Sequence, residues 1–149
     1  IKNTIPNVSI STDIIVGFTD EEVEDFLDTL VLVNTCKYDN AFTFIFSKRE
    51  GTPACKLEDN TPLEEKEERL QRLNEVVNKY FLENNKKLEG KVVSVLVEGI
   101  SEKKNMYYGY SDTNKLINFS SKRDIKVGKI VDVVITKAKT WSLDGEFCE

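Results

Sequence analysis

The chain contains no histidine, which removes every Ser-His-Asp or Cys-His nucleophile arrangement and the commonest transition-metal ligand. Imidazole catalysis is excluded. Cysteine is scarce: Cys36, Cys55 and Cys148 lie 19 and 93 residues apart, unlike the close pairs of zinc ribbons or disulfide scaffolds. They read as free thiols of a reducing compartment. No apolar run approaches the ~20 residues of a membrane span, and there is no basic-then-apolar leader with a small-residue cleavage site. Neither a transmembrane helix nor a signal peptide is expected, and the expected location is the cytoplasm. The first residue is Ile1 rather than Met, as expected of a piece of a longer protein.

What is present is a globular composition: 149 residues, 40% hydrophobic and 32% charged, with a net charge of −5. That is enough for one ordinary domain or two small ones. The charge divides unevenly. Residues 1–86 carry 10 Lys and Arg against 17 Asp and Glu, whereas residues 87–149 carry 11 against 9. The apolar pattern changes at the same place, near Asn85 to Leu88, and predicts two modules, 1–86 and 87–149.

In the first module, Val8 to Val16 ends in the apolar run Ile14-Ile15-Val16 and predicts a strand buried on both faces. A helix is predicted from Asp20 to Asn34, capped by Thr19 with Glu22 in the capping box, its apolar face formed by Val23, Phe26, Leu27, Leu30 and Val33. Ala41 to Phe46 predicts a second buried strand, and the polar segment Ser47 to Ala54 a loop. Thr61-Pro62-Leu63-Glu64 is a strong helix start. That helix is predicted to reach Asn84 with the stripe Leu70, Leu73, Val76, Val77, Tyr80 and Phe81, its charged first turns forming a solvated face. Strand, helix, strand, loop, helix is the repeat of a parallel α/β sheet or barrel. Two strands cannot close one, so the remaining strands are expected outside this chain.

The second module has no helical period. Five segments rich in β-branched and aromatic residues, Lys91–Glu98, Met106–Ser111, Leu116–Phe119, Lys129–Ala138 and Trp141–Phe147, predict a small five-stranded antiparallel barrel. Gly109 is expected at a bulge or bend, and Gly128 and Gly145 at turns.

Loops after the carboxyl ends of parallel strands carry binding groups in such folds. Arg49 can grip a carboxylate or phosphate, or simply be solvated. The turn Gly17 to Glu21 allows close backbone approach ahead of a helix N-terminus. The barrel supplies Lys91, Lys103, Lys104, Lys115, Lys122, Arg123, Lys126, Lys129, Lys137 and Lys139 as cations. Its rings are Tyr107, Tyr108, Tyr110, Phe119 and Trp141, so it suits either single-stranded nucleic acid or a structural role with the rings in the core.

Six segments in register, STDIIVGF (11–18), EDF (24–26), SKREGTPA (47–54), RLQRLNE (69–75), YSDTNKLINF (110–119) and AKTWSLDGE (138–146), resemble the radical S-adenosylmethionine methylthiotransferases that modify tRNA, in particular the MiaB type acting on isopentenyladenosine beside the anticodon. The resemblance covers the whole chain. It implies an α/β plus all-β chain: residues 1–86 as the C-terminal part of a radical S-adenosylmethionine partial (β/α) barrel, and 87–149 as a TRAM barrel that holds the tRNA anticodon stem-loop. The parent enzyme would use S-adenosylmethionine and 4Fe-4S clusters. Its C-x-x-x-C-x-x-C motif would lie in an N-terminal part outside this chain, which is the expected partner. No cysteine here matches that motif, so the chain alone is expected to bind no cluster and to be inactive, with no metal site and no catalytic residue of its own.

The implied site residues are Gly17 and Glu21 toward the cofactor, Arg49 toward substrate, and Tyr110, Asn114 and Lys115 toward RNA. The family turn Gly-Phe-Pro-Gly-Glu is here Gly17-Phe18-Thr19-Asp20-Glu21, and Tyr110 stands where the family has an arginine. The rival readings are a non-catalytic TRAM-type RNA-binding protein and a sister methylthiotransferase acting on another modified adenosine or on a ribosomal protein. No membrane partner is expected.

Overall fold

A computed structural model of the chain describes residues 1–101 and 105–148. Lys103 and Lys104, named above among the cations, lie outside the described residues. The fold separates into two units, one of Ser9–Tyr80 and one of Ile1–Val8 with the chain from Phe81 on.

The first unit is strand β1 (Ser11–Val16), helix α1 (Val23–Cys36), strand β2 (Asn40–Ile45), a single 3-10 turn (Pro53–Lys56) and helix α2 (Leu63–Lys86), whose last residues belong to the second unit. β1 and β2 pair in parallel from Ser11↔Asn40 to Val16↔Ile45. The apolar runs predict burial on both faces, but only one face is covered. Thr43 bonds Asn74 of α2 at 2.6 Å on that side, while Ile15, Phe42 and Phe44 on the other remain more than half exposed. Two helices can cover one side of a two-stranded sheet, and no further element of this unit is available for the second.

The entry to α1 also differs from the prediction. Asp20 takes a left-handed backbone, φ 64°, and Glu21 N–H closes a turn on the Phe18 carbonyl at 3.0 Å. The helix therefore starts at Val23 with Glu22 as its cap, reciprocated by Asp25. Thr19 is not the cap; it is buried, and its hydroxyl has no hydrogen-bond partner among the described residues. Lys37, in the left-handed region, closes the far end by donating its N–H to the Val33 carbonyl at 2.9 Å. Phe26 and Val33 of the predicted stripe are buried, whereas Val23 and Leu27 are exposed.

The second unit is a closed barrel of β3 (Val92–Ile100), β4 (Met106–Ser111), β5 (Leu116–Ser120), β6 (Ile130–Ala138) and β7 (Leu143–Phe147), in the ring order β3-β4-β5-β7-β6. It is not wholly antiparallel, because β5 and β7 run parallel. The cause is arithmetical: directions cannot alternate around a closed ring with an odd number of strands. The core is Val95, Val97, Tyr107, Ile117, Phe119, Val133, Ile135, Ala138 and Leu143, contributed by alternate positions of every strand.

Gly109 lies inside β4 at a bend, as expected, whereas Gly145 lies inside β7 rather than at a turn. Each faces a bulge in its neighbour: β3 carries the extra residue Glu98 just past the Val97↔Gly109 pair, and β6 carries Thr136 just past Ile135↔Gly145. A β-carbon on Gly109 would collide with the Leu96 carbonyl oxygen, and one on Gly145 would come within 2.6 Å of the Val134 carbonyl oxygen. At both bends two backbones approach too closely for a side chain to fit between them. Among the described residues no helix is long and apolar enough to cross a membrane.

Candidate functional site

The strand-end turn of the first unit is held from within. Gly17, φ 68°, is buried. Its N–H donates to Glu21 Oε1 at 3.0 Å, and the same oxygen accepts from the Arg69 guanidinium at 2.7 Å. Arg69 also donates to the Glu21 carbonyl at 2.8 Å and pairs with Glu65 one helical turn earlier. Burial alone would lower the Arg69 pKa, but the hydrogen bonds it donates to Glu21 and Glu65 and the charges of those carboxylates outweigh it and hold the guanidinium above its ordinary value.

Beside this pair, Lys66 lays its stem over Gly17 and donates to both oxygens of Asp59 at 2.6 and 2.7 Å, with its ammonium 5.6 Å from the centre of the Phe46 ring. Lys66 and Arg69 are only 4% and 5% exposed. The charge run at the start of α2, expected to be a solvated face, thus sends two cations inward to clamp both loops that follow the strands. A sequence signal for them exists: the stripe Leu73, Val77, Tyr80 extended backward at helical spacing falls on Arg69 and Lys66.

Arg49 stands apart from this cluster. Its side chain is exposed, and its carbonyl accepts from the Thr52 hydroxyl at 2.8 Å and the Thr52 N–H at 3.3 Å, shaping the loop before the 3-10 turn. A groove of about 450 Å³ between the starts of α1 and α2, lined by Val23, Phe26, Glu65, Arg69 and Arg72 among others, includes neither Gly17 nor Arg49. Among the described residues no group of three His, Cys, Asp or Glu is placed to hold a metal ion.

In the barrel, Tyr107 and Phe119 stack inside with ring centres 5.7 Å apart, so these two rings are core. Tyr110 is not: it alternates outward with Tyr108 and is half-buried on the outer surface. It pairs across β4 with Leu96 on one side and Leu116 on the other. Asn114 occupies the β4–β5 turn with φ 56° and donates its N–H to the Ser111 carbonyl at 2.9 Å. The Lys115 N–H reaches Ser111 Oγ at 3.2 Å, and that hydroxyl also meets the Thr113 hydroxyl at 3.0 Å. The three expected RNA-facing residues thus sit together at one end of β4, on a turn fixed by Ser111. Trp141 is 73% exposed at the tip of the β6–β7 hairpin. The Asn85 amide braces that hairpin by donating to the carbonyls of Lys139 and Thr140 at 2.8 and 3.1 Å.

The TRAM domain family matches residues 86–148, the stretch that folds as the closed barrel. Residues 86–148 are thus similar to TRAM domains. Across its whole length the chain is 55% identical to a tRNA-2-methylthio-N(6)-dimethylallyladenosine synthase of Bacillus cytotoxicus, of which it covers 29%. Proteins of the same name from Bacillus mycoides, 53% identical over 98% of the chain, and Bacillus cereus strain AH187, 51% identical over all of it, are matched over the same share of their length. The chain is homologous to these synthases and spans under a third of their length. The stretch similar to TRAM domains carries Tyr110, Asn114 and Lys115, while the Gly17 turn and Arg49 lie in the region that precedes it.

Proposed function

We propose that this chain is the C-terminal portion of a tRNA-modifying enzyme that methylthiolates isopentenyladenosine beside the anticodon, in the cytoplasm. The observation that carries the proposal is an identity above 50% along the entire chain to synthases of that name. Residues 1–86 complete a radical S-adenosylmethionine barrel begun upstream, and residues 87–149 hold the tRNA anticodon stem-loop. The exposed apolar face of Ile15, Phe42 and Phe44 supports the first assignment, since a parallel sheet needs cover on both faces.

S-adenosylmethionine and iron–sulfur clusters would supply the radical chemistry of the whole enzyme. The clusters' cysteine ligands would come from the upstream part, since Cys36, Cys55 and Cys148 lack the C-x-x-x-C-x-x-C spacing. Gly17 N–H and the Glu21 carboxylate already bond to each other, and Glu21 to Arg69. In this reading Gly17 and Glu21 serve the cofactor end of the barrel as positioning residues that fix the turn. Arg49, exposed on the next strand-end loop, is the group free to approach an anionic part of the substrate. In the barrel, Tyr110 offers a ring for base stacking, and Lys115, on the turn shaped by Asn114, offers a cation for phosphate.

The test is full-length enzyme, with the upstream part restored, incubated anaerobically with S-adenosylmethionine, a reductant and tRNA containing isopentenyladenosine, followed by mass analysis of the nucleosides. Appearance of the 2-methylthio nucleoside, lowered by Arg49→Ala with the fold intact, is the expected result. Turnover confined to a different modified adenosine or a ribosomal protein would overturn the substrate assignment.

A further inference from the structure

The densest positive charge of the barrel is not at the Tyr110 turn. It lies in the segment Ser121 to Lys129, between β5 and β6, which has four cations (Lys122, Arg123, Lys126, Lys129) and one acid, Asp124. The remainder of the chain from residue 87 has seven cations and eight acids. The net positive charge of this module therefore resides in one loop.

The loop is irregular but tied down. Ser121 N–H donates to the Asn105 carbonyl at 3.1 Å, and Ser121 Oγ accepts from Arg123 N–H at 3.1 Å and donates to its carbonyl at 2.8 Å. The Tyr107 hydroxyl, reaching out from the core, accepts from Ile125 N–H at 3.3 Å. Gly128 N–H donates to the Val97 carbonyl, and Val97 N–H to the Lys129 carbonyl, both at 2.8 Å. All four cations are exposed. A backbone fixed before binding gives up little entropy when a ligand engages it.

From this loop an outward row runs across four strands in register, Ile130↔Leu96, Leu96↔Tyr110 and Tyr110↔Leu116. Ile130 is 72% exposed and Leu96 43%. At the ~4.8 Å strand spacing the row is roughly 14 Å long, with Lys129 preceding its first residue and Lys115 its last. The acids nearest in sequence are Glu98, Asp112 and Asp132, the last already accepting from Ser94 at 2.8 Å.

We propose that the loop Lys122 to Lys129 is the phosphate grip of this barrel for single-stranded RNA, and that the row from Ile130 to Leu116 carries the bases from the grip to the Tyr110 turn. The inference rests on the RNA-binding reading above and adds to it a second contact that exceeds the Lys115 turn in charge. Stacking and apolar contact along the row suit any base, while the lysines and the planar Arg123 guanidinium take the phosphates.

Fluorescence anisotropy of the full chain with an anticodon stem-loop RNA, repeated over a series of salt concentrations, tests it. Lys126→Ala with Lys129→Ala should reduce the log–log salt slope by roughly 1.4 to 1.8, two phosphate contacts' worth. Tyr107→Phe keeps ring and charge but unpins Ile125, and should weaken binding at unchanged slope. Lys91→Ala with Lys137→Ala should leave the slope as it was. Binding by the parent chain with no change in the Lys126/Lys129 pair would overturn the grip while leaving the RNA reading in place. Heparin competing as well as RNA would reduce the loop to a general polyanion attractor and overturn the assignment to RNA. Absence of binding by the unaltered chain even at low salt would overturn the RNA reading, and this inference with it.

Discussion

Replacing Gly17 by alanine tests the clamp at the end of β1, because two separable costs meet there. The left-handed backbone, φ 68°, charges any β-carbon about 1–2 kcal/mol. The added methyl would also lie 2.5 Å from Lys66 Cγ and 2.8 Å from Cδ. Lys66 cannot swing aside freely, since its ammonium is held by both oxygens of Asp59. Overpacking of this kind costs about 1–3 kcal/mol, so Gly17→Ala should lose roughly 2–5 kcal/mol in all. In a Lys66→Ala background Cγ and Cδ are gone and only Cβ, 3.1 Å away, remains, so the increment should fall toward the backbone share, about 1–2 kcal/mol. Urea unfolding of the four proteins of this cycle, followed by far-ultraviolet circular dichroism, measures the difference. Equal increments in both backgrounds, within the ~0.5 kcal/mol by which independent sites add, would refute the clash and with it the clamp.

Three further outcomes are expected. Arg69→Met should destabilise the chain by about 3 kcal/mol or more by leaving Glu21 inside without its cation, and adding Glu21→Gln should recover part of the loss; chemical denaturation of the single and double variants decides it. Tyr110→Ala should cost far less stability than the ~3–5 kcal/mol expected for Tyr107→Ala, because Tyr110 is on the outer surface and Tyr107 in the core; thermal melts compare them directly. Anaerobic reconstitution with iron and sulfide should yield no stoichiometric cluster absorbance, and a cluster bound by the monomer would overturn the reading of Cys36, Cys55 and Cys148.

The order of elements was legible because period survives in the sequence: Lys91 to Phe147 alternates, and Leu73 to Phe81 repeats at helical spacing. Strand ends moved by only a few residues. What escaped was set by tertiary partners. Thr19 has the chemistry of a cap, but the left-handed Asp20 delays the helix to Glu22. Lys66 and Arg69 look solvated until Asp59, Glu21 and Glu65 are seen to meet them. The parallel β5–β7 pair follows from closure, which no local pattern announces. For Gly109 and Gly145 the sequence marks an unusual position but not that the irregularity falls on the neighbouring strand. At the barrel surface, Tyr110, Asn114 and Lys115 do come together, whereas the concentration of charge at Lys122 to Lys129 is visible in composition and gains its meaning only from the bonds that pin it.

The two sheets differ in how they end, and this bears on handling the molecule in pieces. A closed ring satisfies its own ladder all the way round, so the barrel offers no strand to a neighbour and should behave as a self-contained module when excised. Among the described residues β1 and β2 pair only with each other. Each therefore presents a free row of amides and carbonyls next to exposed Ile15, Phe42 and Phe44, the combination that recruits foreign strands. Expressed without the barrel, the α/β portion is the piece that should precipitate, and a charged substitution at Phe42 or Phe44 is the change that should keep it in solution.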